Sequence, residues 1–194
     1  MAHLLAEGGM TGPRGLRYTN GNQQNVDELQ EALRHLHKDI EVKSIDSEEI
    51  EYPGQYRING LGMGVPNPAI TWLKEEGVYG HNSETKFHPD FVWLLTKDQI
   101  IEYLRVWWNT DGSISQRDKG NKIYINISLI SPQLIKGIQI LLLKLGIPSS
   151  IRTDIPKVYK GTTKKVWELS IIGNEFKRKF LELIPTYKIP EDYS

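Results

Sequence analysis

The sequence predicts an α+β fold: two repeats of about 100 residues, each running helix, two strands, helix, two strands, helix. Three observations carry this reading. An apolar helix that ends in an acid followed by glycine occurs twice, at Glu7-Gly8 and at Asp111-Gly112, 104 residues apart. After each acid the hydrophobic pattern switches between period two and helical spacing in the same order. A lysine-proline segment closes each repeat: Lys86-Phe87-His88-Pro89-Asp90 returns as Lys188-Ile189-Pro190-Glu191-Asp192, 102 residues on. The domains divide accordingly into residues 1–95 and 96–194.

In the first repeat Ala2-His3-Leu4-Leu5-Ala6 is a short apolar helix ending at Glu7. Glycine suits a helix stop because it takes the left-handed conformation without a Cβ clash. Residues 11–18 form an irregular strand pair broken by Gly12, Pro13 and Gly15, with Arg14, Arg17 and Tyr18 alternating with smaller residues. Asn20 or Asn22 caps the next helix. Val26, Leu29, Ala32, Leu33 and Leu36 place that helix over 23–37. His35 and His37 point to different sides of it and read as surface residues. Ile40, Val42 and Ile45 begin a strand, Tyr52-Pro53-Gly54-Gln55 turns the chain, and Tyr56-Arg57-Ile58 runs back. The Gly60-Leu61-Gly62-Met63-Gly64 stretch reads as a turn, not a nucleotide loop, because Pro66 and Pro68 follow it. A helix over 67–76 stops at Gly77.

Residues 77–96 join the halves. Thr96 and Gln99 make a capping box for a helix over 97–110, with Ile100, Tyr103, Leu104 and Trp107 along one face. Residues 113–117 and 122–130 alternate as strands around a turn at Asp118-Lys119-Gly120-Asn121. Lys122, Tyr124, Asn126 and Ser128 share one face of the second strand, opposite Ile123, Ile125, Ile127 and Leu129. Ser131-Pro132 starts a helix over 132–145 that stops at Gly146. Strands follow at 149–155 and 165–172, joined by a flexible basic loop from Lys157 to Lys165. A last helix covers 174–183.

The chain has no cysteine, which excludes a disulfide scaffold or a thiolate metal site and agrees with an intracellular, cytoplasmic protein. No run approaches the roughly 18 apolar residues of a membrane span, and no signal peptide is visible. Net charge is zero, yet residues 113–188 hold 14 Lys/Arg against 5 Asp/Glu while residues 1–112 hold 10 against 17. A chain split in this way can carry a basic surface without being basic overall.

The two acid-glycine stretches, Thr110-Asp111-Gly112-Ser113-Ile114 and Ala6-Glu7-Gly8-Gly9, resemble the paired motifs of the LAGLIDADG homing endonucleases of the DOD type embedded in inteins. Glu7 stands where that family more often has Asp. The resemblance implies two motif helices packed side by side at a pseudo-twofold axis, with antiparallel sheets forming a DNA-binding saddle. Close helix packing wants small residues four apart, met by Ala2 and Ala6 and by the bulkier Val106 and Thr110. Trp107 and Trp108 must then point away from the seam. Glu7 and Asp111 are implied as the metal-binding acids, the carbonyls of Ala6 and Thr110 as further ligands, and Lys86 and Lys188 as catalytic lysines. The implied cation is Mg²⁺, with Mn²⁺ as a substitute.

The implied partner is double-stranded DNA with a long asymmetric target site, cut on both strands by a monomer of internal pseudo-dimer symmetry. Arg14, Arg17 and Arg57 are candidate DNA contacts in the first repeat. Gln116, Arg117, Lys122, Tyr124 and Asn126 are candidates on the first ribbon of the second, and Arg152, Lys160, Lys164 and Lys165 on and near the basic loop. No splicing chemistry is visible, since cysteine is absent and Glu191-Asp192-Tyr193-Ser194 is not a His-Asn ending. The expectation is the endonuclease portion of an intein, or a free-standing relative. The competing readings are a protein of the same fold that binds DNA or RNA without cutting, as in regulators and maturases, and a domain unrelated to nucleic acid.

Overall fold

The structure, a computed structural model, describes residues 1–11, 15–45, 54–117, 122–159 and 162–190. Arg14, Lys160, the turn at 118–121, Tyr52-Pro53 and Glu191-Asp192 lie outside the described residues, as does the side chain of Arg117. The chain divides into two compact units, His3–Asn82 and Ser83–Ser194. The division falls earlier than the expected boundary at residue 95, because the join packs with the second unit. There Ser131 Oγ donates to the Lys86 carbonyl at 2.6 Å and Lys144 Nζ to the Trp93 carbonyl at 2.6 Å.

The first unit runs α1 (Ala2–Glu7), β1 (Gly8–Gly9), β2 (Arg17–Thr19), α2 (Gln23–Arg34), β3 (Glu41–Ser44), β4 (Gln55–Asn59) and α3 (Pro68–Glu75). The second runs α4 (Lys97–Thr110), β5 (Gly112–Arg117), β6 (Lys122–Leu129), α5 (Pro132–Lys144), β7 (Ser149–Tyr159), β8 (Thr162–Ile171) and α6 (Asn174–Leu183). Each unit holds one antiparallel four-stranded sheet, ordered β1-β2-β4-β3 and β5-β6-β8-β7. The expected α+β architecture, with the same element order in both repeats, is what the chain adopts.

Local chemistry places the helices. Asn22 accepts from Gln24 N, Asn67 from Ala69 N and Ser131 from Leu134 N, and Thr96 and Gln99 form the reciprocal capping box of α4. Gly77 and Gly146 sit at positive φ just past α3 and α5, where a Cβ would be strained. One expectation fails among the described residues: within the basic segment from Lys157 to Lys165, residues 157–159 and 162–165 are strand rather than flexible loop. β7 and β8 are 11 and 10 residues long and extend the hairpin to Tyr159 and Thr162. Val158, Tyr159, Thr162 and Thr163 favour extended backbone, and that preference outweighs the lysines between them. A bulge between Arg152 and Ile155 bends the hairpin, with Asp154 at φ 58°.

Each unit buries its own core. In the first, Leu4 and Leu5 of α1 are buried, as are Tyr18, Leu29, Leu33, Ile58 and Leu73. His3 is buried as well, its Nδ1 3.2 Å from Tyr18 Oη and its Nε2 3.6 Å from Glu28. In the second, Trp107 and Trp108 are fully buried. The Trp108 ring lies 4.7 Å from Phe180 of α6, and Trp107 lies 5.8 Å from His88. Both tryptophans therefore pack into their own unit, and truncating either to alanine removes about 3–5 kcal/mol.

Candidate active site

The site is built at the C-terminal foot of α4, where Asp111 (φ −92°, ψ −16°) closes the last helical turn and Gly112 opens β5 at once. Both acid-glycine pairs were expected to stop their helices through a left-handed glycine. They do not. Gly8 sits at φ −79° and ψ 130°, and Gly112 is not among the positive-φ glycines. The glycine is required by packing instead. A Cβ on Gly112 would meet Trp108 Cα at 2.6 Å, and one on Gly8 would run into the Leu4 carbonyl. In both units the glycine turns the chain tightly across the backbone of the residue four positions earlier.

A strap formed by residues 184–188, just past α6, fastens this foot. Thr186 Oγ1 donates to Asn109 Oδ1 at 2.7 Å and Tyr187 Oη to the Asn109 carbonyl at 2.6 Å. Lys188 Nζ donates to the carbonyls of both Thr110 and Gly112 at 2.8 Å. The last carbonyls of a helix lack intrahelical partners, and these side chains satisfy two of them while holding the strand entry beside them. Asp111 stands between the two carbonyls that Lys188 holds. Burial pushes its carboxyl up to about 6, against the opposing attraction of Lys188 and, more weakly, of Lys86. Its Oδ2 is buried with no hydrogen-bond partner among the described residues.

An orphaned carboxylate oxygen at a helix foot is the kind of group a hard divalent cation satisfies. The Thr110 carbonyl keeps one lone pair beyond that used by Lys188. The foot of α4 therefore fits such an ion. In the first unit Glu7 ends α1 and is half-buried, as is Ala6 before it. Among the described residues no three His, Cys, Asp or Glu side chains gather, so each foot offers one carboxylate and backbone carbonyls. That donor set suits Mg²⁺ or Mn²⁺ and not a His- or Cys-ligated metal. Lys86 is buried.

The strand registers sort the candidate DNA contacts. Arg17 of β2 lies directly opposite Arg57 of β4, on the face away from buried Tyr18 and Ile58. In the second unit Lys122, Tyr124 and Asn126 face away from buried Ile123, Ile125 and Ile127, as their alternation predicts. Lys177 Nζ stands 5.5 Å from the centre of the Tyr124 ring. Gln116 departs from this set. It pairs with Ile123 and so lies on the apolar side of the ribbon, because neighbours along a strand point to opposite faces. Arg152 is held by Glu168 in an ion pair, and Lys165 by Asp154 at 3.3 Å. Lys164 pairs with Lys157 across the long hairpin.

Residues 98–185 match a family model described as a LAGLIDADG-like domain. I-DmoI in complex with its target DNA in the presence of magnesium superposes with a TM-score of 0.56 at 14% identity, over 94% of this chain and 91% of that one. The fold is the LAGLIDADG fold. The N-terminal LAGLIDADG domain of WhiA superposes equally well, with a TM-score of 0.56 at 13% identity over 98% of this chain and 81% of that chain. Among curated proteins, a replicative DNA helicase DnaB of Rhodothermus marinus is 33% identical over 64% of this chain and 13% of its own length. A probable translation initiation factor IF-2 of Methanocaldococcus jannaschii is 26% identical over 92% of this chain and 15% of its own. The chain thus spans less than a fifth of the length of these curated relatives.

The resemblance named Asp111 as a metal-binding acid and Lys188 as a catalytic lysine without placing the two together; in the structure Lys188 holds the carbonyls on either side of Asp111. Sequence reasoning missed Thr186, Tyr187 and Asn109. The signal available was slight: Thr186 and Tyr187 immediately precede the repeated lysine.

Proposed function

We infer that this chain is a metal-dependent DNA endonuclease of the kind embedded in inteins, making a double-strand break in a long asymmetric site. The observation that carries the reading is Asp111: a buried carboxylate with an unmet oxygen, held by a purpose-built strap at the end of a motif helix. A carboxylate gains nothing from the negative end of a helix dipole, so stability alone does not account for it. The relatives support the intein context. Similar segments lie within a replicative helicase, a probable initiation factor and the helicase Hel308 of Thermococcus kodakarensis, at 13%, 15% and 10% of their lengths. Occurrence inside proteins of such different tasks is what a mobile insertion produces.

Asp111, Glu7 and the carbonyls of Thr110 and Ala6 would hold the cations. When bound, Mg²⁺ or Mn²⁺ supplies an activated water and a counter-charge for the departing 3′ oxygen. Asp111 fixes the position of that charge, and the strap fixes Asp111. Lys188 and Lys86 add positive charge near a phosphate whose negative charge grows in the transition state. The polar sheet faces position the duplex.

The test is cleavage of a plasmid carrying the uninterrupted host gene in Mg²⁺. The account expects linear product from the wild-type chain and intact plasmid, still bound, from Asp111→Asn. Binding by the wild-type chain without any cleavage would favour the alternative of a LAGLIDADG protein that binds DNA without cutting it.

A further inference from the structure

The groups that fasten the foot of α4 are of two kinds, and the difference bears on how an ion enters it. The inference rests on the reading of that foot as a seat for a divalent cation. The first kind anchors the strap. Ile184 is fully buried, and its N–H donates to the Phe180 carbonyl at 2.8 Å. Thr186 is also buried; its N–H donates to the Ile184 carbonyl at 2.8 Å and its hydroxyl to Asn109 Oδ1. Tyr187 Oη adds its bond to the Asn109 carbonyl. These bonds hold the strap to α6 and to the helix end one step before Thr110.

Lys188 is the second kind. Its backbone N–H stays with Thr186 Oγ1 at 3.3 Å, and only the side chain reaches the acid. That side chain is a flexible four-carbon stem with a strongly hydrated ammonium at its tip, so it can swing while the strap stays in place. Lys188 is half-buried, and its ammonium spans the Thr110 and Gly112 carbonyls that flank Asp111. Of the two lysine charges that act on the Asp111 carboxyl, that of Lys188 is the stronger.

Carbonyls beside a carboxylate are also what a hard divalent ion takes. Thr110 offers the foot its carbonyl and not its hydroxyl, which is turned back to the Val106 carbonyl at 2.9 Å and the Trp107 carbonyl at 3.2 Å. One carbonyl oxygen has lone pairs for two partners. An ammonium and a divalent ion sharing it would nevertheless stand only a few ångströms apart, at a buried acid where water screens like charges poorly. Asp111 Oδ2 is buried without a hydrogen-bond partner among the described residues, so it is not spent on the ammonium.

We propose that Lys188 is a tethered cation that latches the foot of α4 and is displaced from the Thr110 carbonyl when a divalent ion binds there. Ile184, Thr186 and Tyr187 are the fixed part of the strap, and the Lys188 side chain is the exchangeable part. The displaced charge stays tethered beside the foot, available to an anionic phosphate.

The experiment uses the full chain at one pH and salt concentration, with isotope-labelled lysine side-chain nitrogens. Proton–nitrogen resonance reads the Lys188 ammonium, assigned by its absence in Lys188→Arg. Its protons are expected to exchange slowly before Mg²⁺ is added and rapidly at saturation, with no such change in Asp111→Asn. Mn²⁺ uptake counted by paramagnetic resonance is the second readout. A latch closed roughly nine-tenths of the time lowers apparent affinity about tenfold, so Lys188→Met is expected to bind Mn²⁺ about tenfold more tightly than wild type. Lys188→Arg keeps the charge and a fork that can span both carbonyls, and is expected to bind as wild type does. Tyr187→Phe, which loosens the fixed part, is expected to bind more weakly. Unfolding midpoints verify that each variant folds, and the wild-type resonance tests the latch even where Lys188→Met does not. An ammonium still slow to exchange at saturating Mg²⁺ overturns the latch, as does equal or weaker Mn²⁺ binding in Lys188→Met. If neither the wild-type chain nor Lys188→Met shows Mn²⁺ uptake that Asp111→Asn abolishes, the reading of the foot as a cation seat falls instead.

Discussion

His88 shows how one polar side chain is kept in an apolar core. Its Nε2 lies 2.9 Å from the Leu134 carbonyl and its Nδ1 2.7 Å from Tyr103 Oη. A carbonyl only accepts, so Nε2 carries the proton and Nδ1 accepts from the tyrosine. Burial pushes the imidazole down to about 4 from its usual 6.5 and raises the Tyr103 phenol. Gly137 makes room, since a Cβ there would strike the imidazole ring. The sign follows from linkage. The unfolded chain takes a proton on His88 near pH 6.5 and the folded chain does not until about pH 4, so stability is present above 6.5 and lost as pH falls. Urea unfolding followed against pH should show that loss, on the order of 3 kcal/mol across the window, and His88→Gln should flatten it. Asp111 has the opposite linkage. Its carboxyl is raised to about 6 from 3.8, so the neutral form is favoured on folding and stability falls as pH rises through that interval. Asp111→Asn is therefore expected to be more stable than wild type at pH 7 by about 1–3 kcal/mol, while losing cation binding. Equal or lower stability at pH 7 would refute the burial argument.

At the scale of elements, the helices were legible because capping chemistry is local. The capping box at Thr96 and Gln99, the Ser131-Pro132 start and the glycine stops placed α4, α5 and α3 to within a residue or two. The acid-glycine pairs were found for a reason the structure replaces. Close approach to Trp108 and Leu4, and not a left-handed turn, demands the glycine. Gly112→Ala should consequently lower unfolding free energy by about 1–3 kcal/mol through overpacking, even though alanine suits the local backbone angles, and a denaturant midpoint shift measures it. The strap was only partly legible. A sequence shows that lysine recurs; it does not show that Tyr187 and Thr186 reach a helix end 77 or 78 positions away. Tyr187→Phe should cost about 1 kcal/mol of stability by removing the hydrogen bond from Tyr187 Oη to the Asn109 carbonyl. If the strap positions Asp111, the same variant also weakens cation binding while DNA affinity holds, a split that loss of stability alone does not produce. The long β7–β8 hairpin escaped because lysines were read as loop residues, whereas strand register puts Lys157 and Lys164 opposite each other in a continuous ladder.

At the scale of the whole molecule, the two-repeat plan was visible as recurrence: acid-glycine and lysine-proline at nearly the same interval, with the same strand and helix order between them. Bulk charge says little at this scale, because cations of both halves are answered locally, Lys43 by Glu41 and Arg152 by Glu168. The boundary between units was also displaced, since His88 and Lys86 tie the join to α5 through Leu134 and Ser131. The functional account asks the two repeats to act through one chemistry, with Glu7 and Asp111 each holding cation at a duplex. Paramagnetic resonance of Mn²⁺ titrated into the protein–DNA complex measures this directly. The account predicts bound Mn²⁺ in the wild-type complex, reduced uptake in both Glu7→Gln and Asp111→Asn, and unchanged DNA affinity in each. Mn²⁺ uptake in Glu7→Gln and Asp111→Asn equal to that of the wild-type complex would contradict it.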